Sequence, residues 1–172
     1  MTWSGRYWSV TVTDTELTAE QPSGTLAVAR ADASTLEVRR GWFHRTLHHG
    51  GRPVLRLRGL SRAEARNLEL AVRQLALTPA VEAAVAWRAA AKQLLDAARK
   101  EQRWVPAEAL DTLVASRPEP RLLDRIRAAG TQLSLTPFQL EAVVFADADL
   151  ARLVTETKIP RSRYQHKIGD VT

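Results

Sequence analysis

No cysteine occurs in the chain, which excludes disulfides, thioether-bound haem, iron–sulfur clusters and thiolate zinc sites and makes a reducing cytoplasm the simplest location. Long apolar runs are missing as well: no stretch approaches the roughly 20 consecutive apolar residues that cross a bilayer. Met1 to Val10 lacks the charged start and apolar run of an export signal, so no membrane association is expected. No G-x-x-x-x-G-K-[ST] or G-x-G-x-x-G segment is present, so the phosphate loops of nucleotide hydrolysis and dinucleotide binding are absent. Without a Cys nucleophile or a G-x-S-x-G elbow, covalent hydrolase chemistry has no candidate residue. No cofactor is expected, and any helicase, ATPase or nuclease activity would need residues outside this sequence.

Lysine is scarce too, four against twenty-one arginines, in a chain of net charge +6. The arginine fork grips phosphate in a bidentate manner, so this bias suits an anionic partner, although an Ala-, Arg- and Leu-rich composition also follows from a GC-rich genome. Placement separates the two explanations. Between Arg39 and Arg66 eight arginines face a single acid, Glu64, leaving +7 in 28 residues. From Lys158 to Thr172 four basic residues face Asp170, leaving +3. The excess is clustered, as an electrostatic footprint requires.

Hydrophobic residues at 45% and charged residues at 26% are ordinary for a folded chain, and 172 residues suffice for one domain or two small ones. Residues Arg6 to Thr13 alternate, with Trp8, Val10 and Val12 on one face, and predict a strand. Further extended segments are predicted at Gly24–Arg30, Thr35–Arg40, Trp42–His48 and Pro53–Arg58. Gly50-Gly51 between the last two is a two-residue hairpin signal, and Leu55 and Leu57 face away from Arg56 and Arg58. Ser61-Arg62-Ala63-Glu64 is a capping box that opens a helix to about Leu77, with Leu68, Val72 and Leu75 as its apolar stripe. Thr78-Pro79 reads as a second cap opening a separate helix to Arg103. Short helices follow from Pro106 to Val114 and from Arg121 to Ala129. A capping box at Thr136 opens a last helix to about Thr157, with Leu140, Val143, Val144, Leu150 and Leu153 as its apolar residues, and Pro160 ends it. Trp87 and Trp104 read as anchors between helical segments. The fold class expected is α+β. Residues 1–77 form a small antiparallel β-rich domain closed by a helix, in the order of a pleckstrin-homology-like fold; residues 78–158 form a helical domain, and 159–172 a basic tail or linker.

Several constellations bear on chemistry. His44, His48 and His49 lie close together, but metal sites need three or four ligands with supporting acids, and none flanks these; solvated histidines beside a turn account for them. Glu156-Thr157-Lys158 matches the E-x-K half of a metal-dependent nuclease signature, in which a carboxylate holds the metal and a lysine orients water. Its partner acid belongs on an upstream strand, whereas Asp147 and Asp149 fall within the predicted last helix. The basic stretch is the stronger candidate. Trp42, with Arg39, Arg40, Arg45, Arg52, Arg56 and Arg58, sets stacking surface among cations around one hairpin, with Phe43 beside it. Arg161, Arg163 and Lys167 extend the charge into the tail. The competing explanation places Trp42 or Phe43 in the core and the arginines on a solvated sheet face.

The stretch Val38-Arg39-Arg40-Gly41-Trp42-Phe43-His44-Arg45, then Val54-Leu55-Arg56-Leu57-Arg58-Gly59 and the Ser61-capped helix, resembles the N-terminal region of UvrD-type superfamily-one DNA helicases of the helicase IV branch. The likeness covers residues from about 35 to 77. It implies an accessory DNA-binding module with a place in DNA repair, either the front piece of a helicase motor or a stand-alone relative; IPRSRYQHKIGDVT, from Ile159, departs from the family. The function expected is nonspecific phosphate contact with DNA, single- or double-stranded being left open by the sequence, with a helicase motor or another protein as partner. A protein-interaction adaptor, part of a metal-dependent nuclease, and a binder of anionic lipid are the alternatives.

Overall fold

Antiparallel alternation builds the first half of the chain. A computed structural model describes residues 1–155, apart from the side chain of Thr131. Strands β1 (Thr2–Gly5), β2 (Trp8–Val12), β3 (Glu16–Gln21) and β4 (Gly24–Ala29) form a four-stranded antiparallel meander in that order. In β2 the residues Trp8, Val10 and Val12 are buried between half-exposed Ser9 and Thr11, the alternation read from the sequence. β1 and β3 carry weaker patterns and were not predicted. Each has one or two buried side chains, Trp3 in β1 and Leu17 with Ala19 in β3, and they are held by register against Val10 and Val12.

A 3-10 turn at Arg30–Thr35 leads to the second sheet, β5 (Glu37–Arg40), β6 (Arg45–His49) and β7 (Arg52–Leu57), also antiparallel in chain order. Gly50 and Gly51 have φ of 59° and 78°, the left-handed pair that a tight hairpin turn needs and glycine supplies cheaply. The segment Trp42–His48 is not one strand. Residues 41–44 form the β5–β6 turn, closed by the Gly41 amide donating to the His44 carbonyl at 2.9 Å, and β6 begins only at Arg45.

Helix α1 (Arg62–Lys100) starts at the predicted capping box: the Ser61 amide donates to the Glu64 carboxylate at 2.8 Å and the Glu64 amide donates to the Ser61 hydroxyl at 3.2 Å. The predicted break at Thr78-Pro79 does not occur, and Pro79 lies inside one helix of 39 residues. Proline there removes an amide and crowds the preceding turn, at a cost of about 3 kcal/mol. The Thr78 hydroxyl does not cap a new helix; it donates back to the Gln74 carbonyl at 2.6 Å, one turn earlier. Buried Leu75, Ala76 and Leu77 before the proline, and Ala80 and Val81 after it, hold the helix together through that point.

The described chain divides into two units, Met1–Pro79 with Ala129–Ser134, and Ala80–Ala128 with residues 135–155. In the first, Val10, Leu17, Val28, Leu36, Leu47, Leu55 and Leu57 from both sheets share one core with Leu68, Val72 and Leu75 of α1. This is the expected α+β arrangement of small antiparallel sheets and a following helix. The second unit combines the later turns of α1 with α2 (Ala107–Ala115), α3 (Pro120–Ala129), α4 (Pro137–Val144) and α5 (Ala146–Thr155).

Trp87 is buried there and its indole N–H donates to the Leu113 carbonyl at 2.8 Å, an anchor as predicted. Trp104 is not one: it is 51% exposed. The Thr136 capping box is present, but the last helix is bent at Phe145 into α4 and α5. The bend accompanies Asp147 lying between two arginines. It accepts from Arg117 and, at 2.9 Å, from Arg127, which also donates to the Val143 carbonyl. Burial, and then the charge of Arg127, push the Arg117 guanidinium below its usual range. Leu140 and Val144 were expected in the apolar stripe with Val143, Leu150 and Leu153; both are exposed, as is Phe138. The predicted tail and the stop at Pro160 lie outside the described residues. Among the described residues no helix is long and apolar enough to cross a membrane.

Candidate nucleic-acid interface

Alternation in the three-stranded sheet sorts the arginines into two sets. Val38, Leu47 and Leu55 are paired across β5, β6 and β7, and Leu47 and Leu55 are buried. The adjacent row, Arg39, Thr46 and Arg56, is paired in the same order and therefore points to the opposite, outer face. Arg39 forms an ion pair with Glu37 of its own strand, and both side chains are well exposed, so solvent screening leaves that pair weak. Arg56 has no carboxylate partner among the described residues.

The next row pairs Arg40 with Arg45, a like-charge contact that is unfavourable by itself. Arg45 resolves it by turning inward. Its Nε donates to Glu69 Oε1 on α1 at 2.6 Å in a partly buried ion pair. Arg45 thus ties the sheet to the helix, whereas Arg40 stays exposed at the strand end. Arg52 is exposed beside Gly51, at the far end of the β6–β7 hairpin, and Arg58 is exposed just past β7. Arg161, Arg163 and Lys167, like Glu156 and Lys158, lie outside the described residues.

Trp42 and Phe43 crown the β5–β6 turn, each 90% exposed, with ring centroids 6.1 Å apart and planes tilted by 55°. The explanation that put either ring in the core is therefore wrong. The turn beneath them is close-packed: a Cβ on Gly41 would come within 3.2 Å of the His44 ring and carbonyl. His44 supports the turn, and His48 Nδ1 lies 3.5 Å from the Gly51 carbonyl at the other turn. No grouping of three metal-ligating side chains occurs among the described residues. Asp147 and Asp149 do lie together on one helix, α5, and they face Arg117, Arg127 and Arg88.

One part of the surface escaped sequence reasoning. A cleft of about 870 Å³ opens between the β1–β2 turn, the β3–β4 turn and β7. Arg6, Tyr7, Arg56 and Arg58 line it together with Thr46, and Trp8 and Leu55 form its apolar wall. The Trp8 indole N–H donates to the Arg58 carbonyl at 3.2 Å, and the Gln21 side-chain amide donates to the Val54 carbonyl at 3.4 Å, so β7 is fastened to the first sheet along this cleft. Arg6 lies over the Tyr7 ring, 5.1 Å from its centroid. The signal in the sequence was the basic–aromatic pair Arg6-Tyr7 in a turn after Gly5, but only the fold carries it some fifty positions along the chain to Arg56 and Arg58.

Comparison with family models, with curated proteins and with solved structures finds no match to this chain. The chemistry of the site therefore rests on its geometry. Exposed planar rings offer stacking surface, and the exposed arginines of the same sheet offer bidentate hydrogen bonds to phosphate oxygens.

Proposed function

We propose that the chain is a non-catalytic accessory module that binds DNA without sequence preference through β5–β7 and the turn between β5 and β6. The observation that carries this reading is the bare Trp42–Phe43 pair at one end of a sheet whose outer row holds Arg39 and Arg56. Large aromatic side chains left almost wholly in water mark an interaction site. Rings flanked by arginines suit stacked bases and their phosphates. The resemblance of residues from about 35 to 77 to the front of UvrD-type helicases points the same way, and under it a helicase motor is the expected partner.

Fluorescence-polarisation binding of labelled single-strand and duplex DNA at two salt concentrations tests it. Base–aromatic stacking contributes about 1–3 kcal/mol per base, so Trp42→Ala with Phe43→Ala is expected to weaken binding about tenfold or more. Affinity should fall steeply as salt rises, because phosphate neutralisation releases counterions. Binding that survives high salt unchanged, or no binding at low salt, overturns the reading.

A protein-interaction adaptor stands second, on the exposure of Phe138, Leu140, Val144 and Phe145 along and just after α4. Failure of every DNA to bind, in protein of intact fold, would make that surface the functional one.

A further inference from the structure

We infer that the cleft between the first sheet and β7 receives the terminal phosphate of a nucleic-acid strand. This rests on the DNA reading above and adds an end-binding pocket to it. Arg56 is the link: it belongs to the outer row with Arg39 and Thr46, and it also lines the cleft with Arg6 and Arg58. A strand whose phosphates follow the row is led to the cleft. There the turns Gly5–Trp8 and Gln21–Pro22 wall the far side.

Charge selects the end of a strand over its middle. Each internal phosphodiester carries one negative charge, whereas a phosphomonoester carries about −1.5 to −2 near pH 7 and three acceptor oxygens. Three arginines are among the residues that line this one cleft, and none of Arg6, Arg56 or Arg58 has a carboxylate partner among the described residues. Glu20 on the adjoining rim is engaged by the Ser9 hydroxyl at 2.9 Å. The volume, about 870 Å³, falls in the range of pockets that hold a small ligand, roughly 300–1,000 Å³. The exposed Tyr7 ring, with Arg6 over one face, offers its other face to the terminal base.

The test uses one single-stranded oligonucleotide in three forms, 5′-phosphorylated, 3′-phosphorylated and hydroxyl-ended, against the whole chain and its Arg6→Gln variant. One phosphorylated form is expected to bind about tenfold more tightly than the hydroxyl-ended form, the gain of one charge-assisted contact set. Arg6→Gln should abolish that gain, so that the three forms bind the variant alike. If the hydroxyl-ended strand binds in a salt-sensitive manner and neither phosphate adds anything, the end pocket is wrong while the DNA reading stands. If no oligonucleotide binds, the DNA reading itself has failed. Adenosine monophosphate, and vesicles carrying a phosphorylated inositol lipid, serve as competitors. Displacement by either as effective as by the phosphorylated strand, and lost in Arg6→Gln, would assign the cleft to a free nucleotide or a lipid headgroup and overturn the strand-end inference.

Discussion

Single side chains decide whether this surface is a site at all, and Gly5 is the clearest case. A Cβ there would lie 2.4 Å from the Trp8 indole nitrogen and 3.1 Å from the Arg58 carbonyl, the two atoms joined by the hydrogen bond that fastens β7 to the first sheet. Gly5→Ala must therefore displace a buried ring and break its bond. The expected cost is about 2–3 kcal/mol, the sum of overpacking and a lost partner for a buried indole, read as a lower denaturation midpoint in urea. The same variant should weaken binding of a phosphorylated strand end, because Arg58 moves with its carbonyl. Retention of full stability would mean that the indole repacks freely. At this scale Arg56 and Arg58 were legible from alternation with Leu55 and Leu57. Arg6 was not, since nothing local distinguishes it from any arginine in a turn.

Elements carry the next layer of control, and the start of α1 shows how. Glu64 lies below its ordinary value of 4.5 because the Ser61 hydroxyl and then the Ser61 amide bond its charged form. A folded-state value below the unfolded one contributes stability that is present above the ordinary carboxylate range and is lost as pH falls through the lowered value. Glu64→Gln keeps an acceptor for the Ser61 amide but cannot titrate. The parent should thus lose slightly more stability than Glu64→Gln between neutral and acid pH, seen in paired thermal melts; parallel losses would show that the box does not depend on the charge. Boxes of this kind were readable at both Ser61 and Thr136 because every participant lies within four residues. Thr78-Pro79 misled for the converse reason. The same residue types start a helix only where the preceding turn ends, and here the Thr78 hydroxyl donates to Gln74 while buried neighbours continue the helix.

Across the whole molecule, net charge of +6 sets the long-range field, and its clustering between Arg39 and Arg66 sets where an anion arrives. For a single strand the logarithm of affinity should fall against the logarithm of salt with a slope of about −0.7 per neutralised phosphate. Replacing Arg39 by Ala should reduce that slope by about 0.7, whereas Trp42→Ala should lower affinity and leave the slope as it was. An unchanged slope in the Arg39 variant would remove it from the track.

What the sequence alone determined was everything with a short repeat. The strand in Trp8–Val12, the Gly50-Gly51 turn, both capping boxes and the alternation that splits core leucines from arginines all arise from contacts within a few residues, so periodicity and local chemistry reveal them. Tertiary structure alone decided the rest. It left Trp42 and Phe43 bare, since a ring's burial depends on what other elements cover it. It turned Arg45 inward to Glu69, since the partner lies on another element. It also brought Arg6 to Arg56 and Arg58, because a cleft between two sheets is a product of packing and has no counterpart in any local pattern.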